Sequence, residues 1–330
     1  MKKLTLLAGA CWILCMACSK SNSKPDEITT PPIDTTPPVV TPTDTTPSTK
    51  YDITQLNNTL LFETTPVITV MARQDYNELS GAAASQLNAG ILYMHNDAKN
   101  SPVIITNAKG EDLGRIVLDN VSTTNPEDIC VGPGPVSGKT YIYLADIGDN
   151  KSTRTSITVY RFEEPVITGP NAQTEIHITA TAAIALKYPS YAYNAEALLV
   201  DPITKDLFIA TKEIYKSTIY KAAYPQSTTS TTTLVSVVKT PFDLLTSGDI
   251  SANGSEILLR NKSQIWYWKR DTTKSIAETL LTAPEMAPYA GNEHQGEGIC
   301  FAADNTGYYT NTEIRDYSGA VSNISFYKRK

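Results

Sequence analysis

The sequence predicts an all-β chain, a β-propeller built from four-stranded blades. A unit of acid, short apolar strand, tight turn, second apolar strand and second acid or amide recurs five times, at Glu78 to Asp97, Glu127 to Asp146, Glu196 to Glu213, Asp249 to Asn261 and Glu297 to Glu313. Copies roughly 50 to 70 residues apart are the signature of a repeat architecture. Further strand-like runs follow each copy, and helical periods are nearly absent, which fits blades rather than alternating strands and helices.

The elements follow in order. Residues 1–17 open with Lys2 and Lys3 and continue as an apolar run, Leu4 to Ala17, too short to span a bilayer, as in a secretory signal. Leu14-Cys15-Met16-Ala17-Cys18-Ser19 resembles a bacterial lipobox with Cys18 as the lipidated residue, although Cys15 stands where Leu is usual. A plain signal peptide is the alternative. The resemblance implies a lipid anchor at the outer membrane or cell surface, and no other contact with the membrane.

Residues 18–50 read as a tether. Between Pro25 and Thr49 there are seven Pro and nine Thr with no hydrophobic period, so the segment cannot bury enough apolar surface to fold and is expected to be extended. Asp34-Thr35-Thr36 and Asp44-Thr45-Thr46 resemble the O-glycosylation acceptor of Bacteroidetes-type bacteria.

Residues 51–330 are assigned to the propeller. Third strands are expected at Val103 to Thr106, Ile157 to Phe162, Thr218 to Ala222, Gln264 to Lys269 and Ile324 to Lys328, and fourth strands at Arg115 to Leu118, Glu175 to Ala180, Thr233 to Lys239 and Ile276 to Leu281. The last copy lacks a fourth strand, and the apolar segment Thr59 to Met71 is expected to supply it, closing the ring. Five blades follow, with a sixth, degenerate blade in the long second repeat or in residues 51–77 as the alternative. Alternating Trp266, Tyr267 and Trp268 are expected to pack between blades rather than form a sugar platform. Cys130 and Cys300, three residues after Glu127 and Glu297, read as buried small hydrophobes on inner strands. A disulfide between them is the alternative in an oxidising compartment.

In a propeller the residue entering the first strand and the residue leaving the second lie on one face. Glu78, Glu127, Glu196, Asp249 and Glu297 would enter, and Asp97, Asp146, Glu213 and Glu313 would leave, around one mouth, with Asp128 and Asp149 beside them. Compensation is limited to Lys212, Arg260, His95 and His294. Carboxylates so gathered raise one another's pKa unless a counter-charge intervenes, and oxygen donors suit Ca²⁺. The other reading makes these acids caps for backbone N–H groups of the neighbouring blade, stapling the ring without a ligand. Asp146-Ile147-Gly148-Asp149-Asn150 is the densest oxygen cluster and reads either as a cation loop or as an ordinary turn. His95 and His294 are the candidate proton-transfer groups.

The formal charge of -6 excludes a nucleic-acid partner held by phosphate contacts. Gly132 to Thr140 ends like a P-loop, but five residues separate Gly132 from Gly138 and no helix follows. No Gly-x-Ser-x-Gly elbow occurs.

Asn77-Glu78-Leu79-Ser80-Gly81, His95-Asn96-Asp97, Pro126-Glu127-Asp128-Ile129, Asp146 to Asn150 and Asn194 to Leu199 resemble a family of uncharacterised secreted bacterial propellers, which implies no activity. Gly296-Glu297-Gly298-Ile299 with Asn311-Thr312-Glu313 is similar to the blade motif of esterase-like phytases, and its Glu-Gly strand entry to calcium-dependent gluconolactonases. No single set of Glu, Asn and Asp maps onto their metal ligands. Two functions are therefore expected: a surface propeller whose cation-binding mouth takes a glycan, small molecule or protein, or a Ca²⁺-dependent hydrolase of phosphoesters or lactones.

Overall fold

The computed structural model describes residues 44–291 and 293–330. Signal residues 1–17, Cys18 and the tether up to residue 43 lie outside the described residues. One compact unit spans Thr45–Lys330, and it is a five-bladed propeller.

Blade 1 runs Leu79–Ala84, Ile91–Asn96, Val103–Asn107, Arg115–Leu118 from the channel outward. Blade 2 runs Pro126–Pro133, Thr140–Asp146, Ile157–Glu163, Ala182–Lys187, and blade 3 runs Ala195–Val200, Leu207–Thr211, Thr218–Ala222, Val235–Lys239. Blade 4 runs Ser247–Ile250, Glu256–Arg260, Ile265–Lys269, Glu285–Ala287. Blade 5 takes Gln295–Phe301, Gly307–Glu313 and Asn323–Lys328 from the C-terminal end and its outer strand, Val67–Val70, from before blade 1. That outer strand pairs antiparallel, Val67 opposite Phe326 and Val70 opposite Asn323, so the ring closes as the sequence predicts.

The inner strands are continuous apolar runs because each is covered on both faces by neighbouring blades: all six residues of Ala195–Val200 are buried. Asp201 then turns the chain, its carboxylate accepting from Ile203 N at 3.0 Å and Thr204 Oγ1 at 3.0 Å, with Lys205 at φ 64°, an Asx-type turn. The core falls into five clusters, one for each interface between adjacent blades. Trp266 and Trp268 point toward blade 3, where Phe242 stacks on Trp266 at 4.0 Å, and the intervening Tyr267 points toward blade 5. Cys130 and Cys300 are buried free thiols on inner strands.

Three expected outer strands are corrected. Glu175–Ile178 does not belong to blade 2 but pairs parallel to Arg115–Leu118 of blade 1, so the extra length of the second repeat forms a cover for its neighbour rather than a sixth blade; Ala182–Lys187 is the fourth strand of blade 2. Ile276–Leu280 is an α-helix started by a Ser275–Glu278 capping box, a local signal that overrides the apolar run, and Glu285–Ala287 takes the strand position. The expected strand 233–239 is shortened: Val235–Lys239 is the fourth strand of blade 3, while Thr233, with Thr232, pairs parallel with blade 2. The end of the Thr/Pro-rich stretch also joins a blade edge: Lys239 N donates to Pro47 O at 2.8 Å and Thr49 N to Lys239 O at 3.1 Å.

Candidate functional site: an acidic mouth around Lys212

Four of the five inner strands carry a register shift near their start: between Leu79 and Ala82, Pro126 and Asp128, Ala195 and Ala197, and Gly296 and Ile299. A bulge adds a residue and re-aims its side chain. In blades 2, 3 and 5 the bulged stretch holds Glu127, Glu196 and Glu297, which are 3%, 5% and 5% exposed. Blade 1 places Ser80-Gly81 there, so Glu78 stands one step outside. Blade 4 has no shift in its inner strand, Ser247–Ile250.

The three glutamates face one another at the channel mouth. Burial raises the pKa of Glu127 well above the usual value, with Glu196, Asp97 and Glu297 adding to the effect. Glu297 is pushed to about 8 by burial and by Glu196, against Lys212 and Lys262. Glu196 is also raised by burial, although Lys212 pairs with it. Burial opposes the Lys212 ammonium, yet Glu196, Glu297 and Glu127 together hold its pKa above the lysine value. Asp97 is raised to about 6 by burial and by Glu196, Glu78 and Glu313. At the rim, Glu78 pairs with Arg315, and Glu313 accepts from Gln295 Nε2 at 2.5 Å.

The other predicted acids do different work. Asp146 accepts from Thr124 N at 3.0 Å, Asn125 N at 2.8 Å and Arg154 Nη1 at 3.1 Å. Asp149 accepts from Arg154 N at 2.7 Å and donates its own N–H to Asn194 Oδ1 at 2.7 Å. Gly148 between them is required by close approach: a Cβ there would lie 1.9 Å from Asn125 Nδ2 and 2.1 Å from Glu127 Oε1. Glu213 accepts from Thr211 Oγ1 at 2.6 Å. Asp249 sits beyond the mouth, lining a small cavity of about 20 Å³ with Gln86, Ala252 and Ala303 from turns at the opposite face; burial raises its pKa to about 7 while Phe301 N donates to it at 2.8 Å.

The staple role is carried by Asp249, one of the predicted entry acids, and by Asp128, the residue after Glu127. Asp128 of blade 2 accepts from Leu198 N of blade 3 at 2.9 Å and from Ser247 Oγ of blade 4 at 3.1 Å, and Asp249 of blade 4 holds Phe301 of blade 5. Glu127 instead accepts from Asn125 Nδ2 of its own blade, and Glu196 from Lys212.

Arg260 is not a counter-charge for the mouth. It is fully buried, pairs with Glu293 at 2.6 Å and donates to Gly298 O at 3.1 Å. Lys262 compensates in its place, facing Glu196, Glu297 and Glu313. Its position in a turn between strands gave the sequence reading no signal.

His95 is fully buried. The Gly81 N–H donates to its Nε2 at 3.2 Å, so Nε2 must be an acceptor and the proton sits on Nδ1, which donates to Asn96 O at 3.1 Å. Both ring nitrogens are thus engaged in backbone contacts, and burial lowers the pKa to about 4. In blade 5 the matching bulge N–H, from Gly298, donates to Asn311 Oδ1 at 2.7 Å. His294 is exposed and stacks on Tyr317 at 4.8 Å beside Gln295.

Among the described residues no group of three or more His, Cys, Asp and Glu is placed to hold a metal ion, and no helix is long and apolar enough to cross a membrane. The mouth gathers Glu127, Glu196, Glu297 and Asp97 around Lys212, with Lys262 facing Glu196 and Glu297.

No protein-family model matches the chain, and no curated protein does. Among solved structures, one described as a gluconolactonase of Xanthomonas campestris aligns at TM-score 0.38 and 8% identity over 73% of this chain and 69% of that one. A nidogen/laminin complex aligns at TM-score 0.42 and 9% identity over 76% of this chain and 84% of that one. At these similarities neither says anything about site or activity.

Proposed function

We propose that this chain is a binding propeller, held at the outer membrane or cell surface through Cys18, whose acidic mouth takes a cation. The observation that carries the reading is the placement of Glu127, Glu196 and Glu297 on equivalent bulges of three blades, nearly buried and facing one another. Burying like charges is costly unless they are paired or neutralised. Lys212 pairs with one of them, with Lys262 facing Glu196 and Glu297, and a positive ligand would add to that compensation.

The donor chemistry suits a hard cation such as Ca²⁺: Glu127, Glu297 and Asp97 offer carboxylate oxygens, and Lys212 already occupies Glu196. A bound ion would add charge compensation at the mouth; a glycan, small molecule or protein would then reach it from the open face. The ion would bind the ring and not the unfolded chain, so at 100 times its Kd it would stabilise by about 2.7 kcal/mol. Calorimetric titration of metal-free protein tests this directly. Absence of heat and of any melting shift with millimolar Ca²⁺ would remove the cation from the reading.

Anchoring rests on residues 1–18 of the sequence. Cys18→Ser should release the protein from membranes and abolish labelling by a palmitate analogue; unchanged labelling would remove the anchor.

One observation favours the hydrolase reading. Glu297, with its pKa near 8, is a carboxyl poised to give or take a proton near neutral pH, the property expected of a general acid or base. With both nitrogens of His95 engaged, Glu297 is the better candidate. Turnover of phosphoester or lactone substrates that chelator abolishes and Glu297→Gln suppresses would establish it.

A further inference from the structure

Each blade of a propeller presents an outer strand with an unpaired edge. In this protein four of the five are covered by an extended segment of the same chain running parallel to them. Glu175–Ile178 covers blade 1, Thr232–Thr233 covers blade 2, Ser48 bridges to Lys239 of blade 3 and Asn58 to Met286 of blade 4. Among the described residues no segment pairs with the outer side of blade 5.

That edge is long. Phe62 bridges to Arg329, Glu63 N donates to Lys328 O at 2.8 Å, Lys330 N to Leu61 O at 2.9 Å, and Val67–Val70 continues along Asn323–Phe326. A turn of blade 1 closes only its far end, where Ala72 N donates to Gly110 O at 2.8 Å. It is also apolar: Leu60, Leu61, Val67, Ile68 and Val70 are 81%, 39%, 63%, 50% and 58% exposed. Val67-Ile68-Thr69-Val70 has high strand propensity with no Pro or charge of its own; the residues that normally blunt an exposed edge, here Glu63 and Pro66, come before it and leave these four residues open.

We infer that the outer edge of blade 5, the strand Val67–Val70 with Leu60 and Leu61 beside it, is the surface through which two copies of this chain pair, strand against strand in antiparallel register across a two-fold axis. A two-fold axis makes any strand edge complementary to itself, since the donors and acceptors of one copy meet the acceptors and donors of the other. Charge favours the same place. The chain carries a net charge of -6, so two copies repel, and from Leu60 to Met71 the edge holds one charged residue, Glu63. Neutral apolar surface is where acidic copies can approach with least opposition, and the exposed leucines and valines add the burial that a short strand pair lacks.

The test is the mass of the full chain in solution, measured by sedimentation equilibrium over a range of concentrations. The expected result is twice the chain mass, falling toward one on dilution, with the dissociation constant raised at least tenfold by Ile68→Lys. Melting temperature controls for folding, and Val67→Lys replaces Ile68→Lys should the latter lower it. A single-chain mass at the highest concentration would overturn the inference, as would a dimer that neither lysine weakens. Pairing with an unrelated extended peptide would appear as a monomer throughout and would equally overturn it.

Discussion

Lys212 Nζ pairs with the Glu196 carboxylate at the centre of a mouth whose other carboxyls, Glu127, Glu297 and Asp97, form no ion pair among the described residues. The consequence is an inverted pH dependence of stability. In the folded chain Glu297 holds its proton to about 8 and Asp249 to about 7, against ordinary values of 4.5 and 3.8. Between about pH 5 and 8 the native state therefore keeps protons that the unfolded chain has released, and stability falls as pH rises through that window. At about 1.4 kcal/mol for each tenfold disfavouring of the ionised form, the loss is on the order of a few kcal/mol. Thermal melts of metal-free protein across this window should show a declining midpoint, and a flat or rising one would contradict the mouth's electrostatics. Lys212→Met should steepen the decline.

Glu297→Gln separates charge from shape. An amide fills the same space without an anion, so metal-free protein at pH 8 should be more stable than wild type, by about 1 to 3 kcal/mol. If a cation binds the mouth, the same variant should lose part of the Ca²⁺-dependent rise in melting temperature. A variant less stable than wild type at pH 8 would mean that the glutamate is held by contacts outweighing its burial.

His95 has a built-in comparison in blade 5. Because Asn311 accepts the equivalent bulge N–H, His95→Asn should retain the hydrogen bond and cost less than His95→Leu, which leaves the Gly81 N–H unsatisfied at about 1 to 3 kcal/mol. The lowered pKa also has a sign: unfolded His gains a proton near 6.5 and the folded ring not until about 4, so this residue's contribution is complete above pH 6.5 and drains away as pH falls toward 4. An NMR titration should show the His95 ring neutral at pH 5.5; a protonated ring there would undo the assignment.

How much of this was legible in the sequence differs by level. The two inner strands of each blade could be read because they are sandwiched between neighbours and must be apolar throughout, as Ala195–Val200 is. Outer strands face solvent, so their pattern is weak. Glu175–Ile178 and Ile276–Leu280 were each misplaced because pairing partner and capping box, not hydrophobicity, decide them. At the mouth the repeat aligned Glu127, Glu196 and Glu297, whose bulges share a register. It misaligned Glu78 and Asp249, because the shift in blade 1 falls on Ser80-Gly81 and the inner strand of blade 4 has none. Arg260 looked like a mouth charge until the buried Glu293 claimed it, a pairing between a strand end and a loop that spacing does not encode.

The staples themselves make the final prediction. Asp128 is fully buried and receives N–H groups from Ile129 and from Leu198 of the next blade, both at 2.9 Å, as well as the Ser247 hydroxyl of blade 4. It therefore ties three blades near the channel axis. Asp128→Ala would strand those donors and is expected to destabilise the ring by about 3 kcal/mol or more, since each buried unsatisfied group costs about 1 to 3. Asp128→Asn, which keeps one acceptor oxygen, should fall between. Neither loss should depend on Ca²⁺, whereas the effect of Glu297→Gln should. A Ca²⁺-dependent loss in Asp128→Asn would join the staple to the mouth and require both to be one site.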